Sequence, residues 1–128
     1  DIRNISAALS FVNSCFRNEK QEKFKVICID SGFHIKSVAD ISAGGARFTP
    51  VDFRELTKAV LNSGTDIVIL AHNHPDSPNT PSQEDVTLTR EVMRYMRCLG
   101  VTVLDHYITG KNGTISMRNC GLIHDMEC

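Results

Sequence analysis

Apolar and polar positions along this chain follow two periods, and the switches between them mark out its elements. In residues 2–16 the apolar positions Ile5, Ala8, Leu9, Val12 and Phe16 recur at helical spacing. Residues 18–21 form a polar break. Residues 22–30, EKFKVICID, alternate at first and then become continuously apolar, the pattern of a strand entering a buried sheet. Ser31-Gly32 signals a turn, so residues 34–41 are expected to return as the second arm of a hairpin. Gly44-Gly45 marks a corner or bulge, and residues 46–49 are expected as a short extended piece. Pro50 and Asp52 open the next helix, with the proline near its first turn. Phe53, Leu56, Val60 and Leu61 supply its buried face, and Gly64 ends it. Residues 66–71, DIVILA, are apolar on both faces and make the best central strand. A helix from Ser82 to about residue 99 follows, with Val86, Thr89, Val92, Met93 and Met96 inward and Gly100 closing it. Residues 101–109 and 114–117 read as two strands joined by a Lys111-Asn112-Gly113 turn. The order α-β-β-(β)-α-β-α-β-β predicts one α/β domain over residues 1–128, a mixed sheet flanked by helices with its core in residues 20–122 or so.

The candidate chemistry sits where the central strand ends. His72-Asn73-His74-Pro75 places two histidines one residue apart, and alternate residues of an extended segment point the same way. Pro75 cannot continue a central strand, so the pair lies where strand gives way to loop. Ser82 suits an N-cap, and Asp85 completes a capping-box-like S-x-x-D that puts its carboxylate in the first helical turn. Two nitrogens and one oxygen make a three-ligand set, His72, His74 and Asp85. Catalytic zinc is commonly held by three protein groups with water in the fourth position, whereas closed structural sites favour four ligands, largely cysteines. The plainer reading, loop histidines beside a helix cap, does not account for the fixed downstream S-x-x-D in a strand-loop-helix context. Amide hydrolysis also needs a proton carrier, and Glu22, Asp30, Asp52, Glu55, Glu84 and Asp105 all stand open as candidates.

Composition narrows the classes. At 128 residues the chain is long enough for a real hydrophobic core. Lys+Arg total 14 against 15 Asp+Glu, which gives no basic footprint for tight, nonspecific DNA binding. No apolar run approaches a membrane span and no segment resembles a signal peptide. Cys15, Cys28, Cys98, Cys120 and Cys128 are odd in number and never spaced C-x-x-C, so reduced thiols and a cytoplasmic location are expected, with Cys28 as core filler. The first residue is Asp1 rather than Met, so a domain cut from a longer protein, or a processed or trimmed chain, is expected. A zinc nucleobase deaminase would need H-x-E followed by P-C-x-x-C, and neither is present.

The H-x-H-P-x(6)-S-x-x-D pattern resembles the JAMM/MPN+ metalloprotease motif. Over residues 22–122 the chain resembles, more narrowly, the RadC-like JAB domain, the family labelled "DNA repair protein RadC". Glu22-Lys23-Phe24 leading to Ile29-Asp30, Ile69 to Pro75, Pro81-Ser82 with Asp85, Thr89, and Leu104-Asp105-His106-Tyr107-Ile108 carry the likeness. The resemblance implies a JAB/MPN, cytidine deaminase-like architecture and one zinc ion on His72, His74 and Asp85. It implies Glu22 as general acid/base and Ser82 as a donor to the oxyanion. It also implies a hydrolase of peptide or isopeptide bonds acting on a peptide or protein substrate. The competing expectation is a non-catalytic binding module acting with DNA-repair, replication or mobile-element proteins. Where the family usually has Ser-Gly after H-N-H-P, this chain has Asp76-Ser77. Asp105-His106 is expected either to orient a ligand from behind or to serve as a core or turn feature. His34 and His124 are expected at the surface, and Arg90, Arg94 and Arg97 as a solvated helical stripe.

Overall fold

A computed structural model describes residues 3–43 and 50–123. Their elements are helix α1 (Ile5–Cys15), strands β1 (Phe24–Ile29) and β2 (Ile35–Asp40), α2 (Phe53–Ser63), β3 (Ile67–Asn73), α3 (Gln83–Cys98), β4 (Thr102–Gly110) and β5 (Gly113–Ser116). The strands form one mixed sheet in the order β2-β1-β3-β4-β5. β1 runs antiparallel to β2 and β3, β4 antiparallel to β5, and β3 parallel to β4. That parallel pair needs a long crossover, which α3 supplies.

Alternation along β1 and β3 sorts the core into two layers. Phe24, Val26, Cys28, Val68 and Leu70 pack with Leu56 and Val60 of α2 and with Leu88, Val92 and Met96 of α3. Ile27, Ile29, Ile69 and Ala71 face the other way, against Ala8, Val12 and Phe16 of α1. The continuous apolar runs seen in the sequence follow from helices covering both faces. His72, two residues beyond Leu70, thus emerges on the α2/α3 face.

Several expectations shift in detail. α1 is capped by Asn4, whose side chain accepts from the Ser6 and Ala7 N–H groups. β3 runs on through His72 and Asn73, two residues past the expected strand. Asp52 is the N-cap of α2, and Pro50 stands two residues before it. Leu61 is 70% exposed and not part of the buried face, because Leu56 and Val60, four apart, already define the contact line and Leu61 lies a further hundred degrees or so round the helix. Gly64 closes α2 in the left-handed region, φ 70°. Cys28 is buried, and Cys15, Cys28, Cys98 and Cys120 are free thiols. Among the described residues no helix is long and apolar enough to cross a membrane. Gly44-Gly45, residues 46–49, His124 and Cys128 lie outside the described residues.

Candidate metal centre

The site forms at the C-terminal end of β3, the usual place for sites in such sheets. Backbone pairing aligns Phe24 of β1 opposite His72, and the two rings stack at 5.1 Å with planes 3° apart. His72 is thereby buried, 1% exposed. His74 follows past the strand end, held by its N–H to the Thr109 carbonyl at 2.7 Å. The loop after Pro75 then lies against the β4–β5 hairpin: Lys111 N–H donates to Ser77 O, and Asn79 donates to Asn112 and Gly113. Gly110 permits this approach, because a methyl there would stand 2.6 Å from the Pro78 carbonyl carbon.

Asp85 arrives from the first turn of α3. The capping box is complete: Ser82 Oγ accepts from Asp85 N–H at 3.1 Å, and Ser82 N–H donates to Asp85 Oδ2 at 2.8 Å. Asp85 Oδ1 lies 3.2 Å from His72 Nε2, Oδ2 lies 3.5 Å from His74 Nε2, and the two Nε2 atoms are 3.1 Å apart. Burial pushes the Asp85 carboxyl up, but the adjoining His72 imidazole and the hydrogen bonds from Ser82 outweigh it and hold it well below the usual carboxylate range.

The hydrogen-bond partners determine which ring nitrogens are free. His74 Nδ1 is 2.9 Å from the Pro78 carbonyl, which can only accept, so Nδ1 carries the proton and Nε2 the lone pair. Behind His72 a directed chain does the same. Thr89 Oγ1 donates to the Asp85 carbonyl at 2.7 Å, so it accepts from His106 Nδ1 at 2.6 Å. His106 Nε2 then accepts from His72 Nδ1 at 2.7 Å. Burial holds the His106 pKa well below its usual 6.5, which favours the neutral ring of this chain. Two lone pairs and a carboxylate therefore converge, an arrangement that calls for a cation. Ligand atoms on a tetrahedral zinc with bonds of about 2.0–2.1 Å stand about 3.3 Å apart, and the 3.1 Å between the two Nε2 atoms and the 3.2 Å from His72 Nε2 to Asp85 Oδ1 lie close to that edge. The residues present fit zinc.

Of the six open carboxylates, Glu22 stands beside the two histidines, where it too could serve an ion as a ligand. It is exposed, and one of its oxygens lies with the His72 and His74 ligand nitrogens in a group mutually within 4.8 Å. Four of the others are engaged elsewhere. Asp30 caps the β1–β2 turn, Asp52 caps α2, Glu55 pairs with Lys58 and Glu84 is exposed. Asp105 accepts from Ser116 Oγ and from the His106 and Arg118 N–H groups. The Asp105-His106 pair thus divides: His106 backs a site histidine, and Asp105 ties β4 to β5. Thr89, the link from His106 to Asp85, carried no functional signal by spacing, since its inward position on α3 reads simply as core. Cavities of about 350 and 160 Å³ flank the site. Gln83, Asp85, Leu88 and Glu91 line the larger, Glu22, Phe24 and Ser42 the smaller, and Pro50 borders both.

Comparison with known proteins returns one family model, the RadC-like JAB domain, over residues 2–122. A UPF0758 protein of Symbiobacterium thermophilum is 34% identical over 123 residues, 96% of this chain and 53% of its own length. One from Desulfitobacterium hafniense is 35% identical over 103 residues, 80% of this chain and 45% of the relative, and one from Methanosarcina barkeri is 34% identical over 107 residues, 84% and 47%. The chain spans about half the length of these curated relatives.

Proposed function

This chain belongs to the RadC-like JAB domain family, and from that premise and the site's geometry we propose that it is a zinc-dependent hydrolase of peptide or isopeptide bonds. The observation that carries the reading is the convergence of the His72 and His74 Nε2 lone pairs with the Asp85 carboxylate, with the Glu22 carboxylate alongside. His72, His74 and Asp85 would hold the ion. When bound, zinc supplies Lewis acidity, which polarises a carbonyl oxygen and brings the pKa of water toward about 7.

The chain's own residues carry the rest. Glu22 keeps an exposed carboxylate next to the imidazole pair, where it takes the proton of the attacking water and returns it to the leaving amine nitrogen. Ser82 spends an oxygen lone pair on the Asp85 N–H. Its hydroxyl proton, directed at the Asp85 carboxylate, would turn to the developing oxyanion. His106 and Thr89 keep His72 oriented with Nε2 forward. The cavities beside Asp85 and beside Glu22 give a substrate chain room next to the site.

The test is zinc content by mass spectrometry, together with turnover of a peptide and isopeptide substrate panel. The wild-type chain is expected to retain one zinc and cleave a member of the panel. His72→Ala is expected to lose both properties, and Glu22→Gln to keep zinc and lose cleavage. Cleavage by the Glu22→Gln variant at the wild-type rate would refute the mechanism.

A further inference from the structure

Glu22 lies before β1 begins, in a stretch where no strand ladder fixes the backbone. A base works only when held within reach of its proton, so the question is what holds this one. Asn73, the residue between the two site histidines, answers it. Its Oδ1 accepts from the Lys23 N–H at 2.6 Å, and its Nδ2 donates to the Gln21 carbonyl at 3.0 Å. The Asn73 backbone N–H adds a bond to the Lys23 carbonyl at 3.4 Å. These contacts fall on the residues immediately before and after Glu22.

We propose that Asn73 is a positioning residue that clamps the peptide segment on both sides of Glu22 and so holds the Glu22 carboxylate beside the His72–His74 pair. The clamp needs one acceptor and one donor on a short planar group. Aspartate offers no donor, serine is too short, and alanine has neither. Strand alternation sends the Asn73 side chain away from the face that carries His72 and His74. It is 2% exposed, so it acts through Glu22 rather than on substrate. The motif thus has a division of labour: its outer residues present nitrogens and its middle residue sets the carboxylate.

The inference rests on the metallohydrolase reading, and cobalt(II) alone serves as the probe. Three quantities are compared in wild type, Asn73→Ala, Asn73→Asp, Glu22→Gln and the Asn73→Ala/Glu22→Gln pair. They are cobalt uptake, the pH midpoint of the cobalt visible spectrum, and amide exchange at Lys23. In Asn73→Ala, Lys23 exchange is expected to rise about tenfold or more. Cobalt affinity is expected to stay within about threefold of wild type, since the ligands are untouched and the site is folded. The pH midpoint should move in the same direction as in Glu22→Gln, and the double variant should match Glu22→Gln alone. Asn73→Asp keeps the acceptor but loses the donor to the Gln21 carbonyl, so it should retain Lys23 protection yet move the pH midpoint; it serves if the alanine variant does not fold, and an unmoved midpoint there overturns the clamp. A midpoint unmoved in Asn73→Ala but moved in Glu22→Gln overturns the clamp and leaves the metal site standing. A wild-type chain that takes up no cobalt overturns the metallohydrolase reading and the clamp with it.

Discussion

His106 Nε2 lies 2.7 Å from His72 Nδ1, and this contact decides which nitrogen of His72 faces the site. Because Thr89 spends its hydroxyl proton on the Asp85 carbonyl, the protons along the chain all point one way. The relay begins on one proposed ligand and ends on the backbone of another. Replacing His106 with leucine removes the acceptor and should cut zinc affinity about 10–100-fold. Thr89→Val, nearly isosteric, should cost less. Competition with a chromophoric chelator measures both.

The loop carrying the Pro78 carbonyl depends on Gly110. Gly110→Ala forces the hairpin and the loop apart, at an expected cost of about 1–3 kcal/mol. Since Pro78 O fixes the His74 tautomer, zinc affinity should fall with stability. Denaturant titration and the same chelator competition test this. A variant weakened in stability with unchanged zinc affinity would show that His74 is oriented by something else.

Ser82 has two jobs that substitutions can separate. Ser82→Ala removes the cap and should cost about 1 kcal/mol, while glycine at an N-cap costs only a few tenths. Both variants lose the hydroxyl. Equal loss of hydrolysis in the two, with unequal unfolding midpoints, is the expected outcome for a donor to the oxyanion.

Tyr107 gives a pH signature on the face of the sheet opposite the proposed metal ligands. Burial, with the Asp105 carboxylate adding to it, pushes its phenol from 10.0 up to about 12. The folded pKa lies above the unfolded one, so the neutral form's stabilisation is fully present below pH 10 and is lost as pH rises toward 12. Thermal midpoints should therefore fall across that window, and Tyr107→Phe should flatten the fall.

Much of this architecture was legible along the chain. β1 and β3 announce themselves because helices cover both faces of the sheet, leaving unbroken apolar runs. Ser82 and Asp85 are local, three residues apart, and a capping box is a local device. What periodicity cannot express is which side chains meet across the fold. Glu22 reaches His72 only because β1 and β3 pair in antiparallel register, so spacing left six carboxylates open. His106 meets His72 through the parallel β3–β4 register, and Thr89 through the docking of α3. Leu61 looked buried because an apolar residue beside a buried stripe carries the same letter whether or not the sheet extends beneath it.

The central claim is that His72, His74 and Asp85 grip one zinc ion. Anomalous scattering above and below the zinc edge, on crystals grown with stoichiometric zinc, tests it directly. The account predicts a single strong peak about 2.0–2.2 Å from both Nε2 atoms and from an Asp85 carboxylate oxygen. A peak that leaves Asp85 out of bonding range, or no peak at the histidine pair, would contradict it.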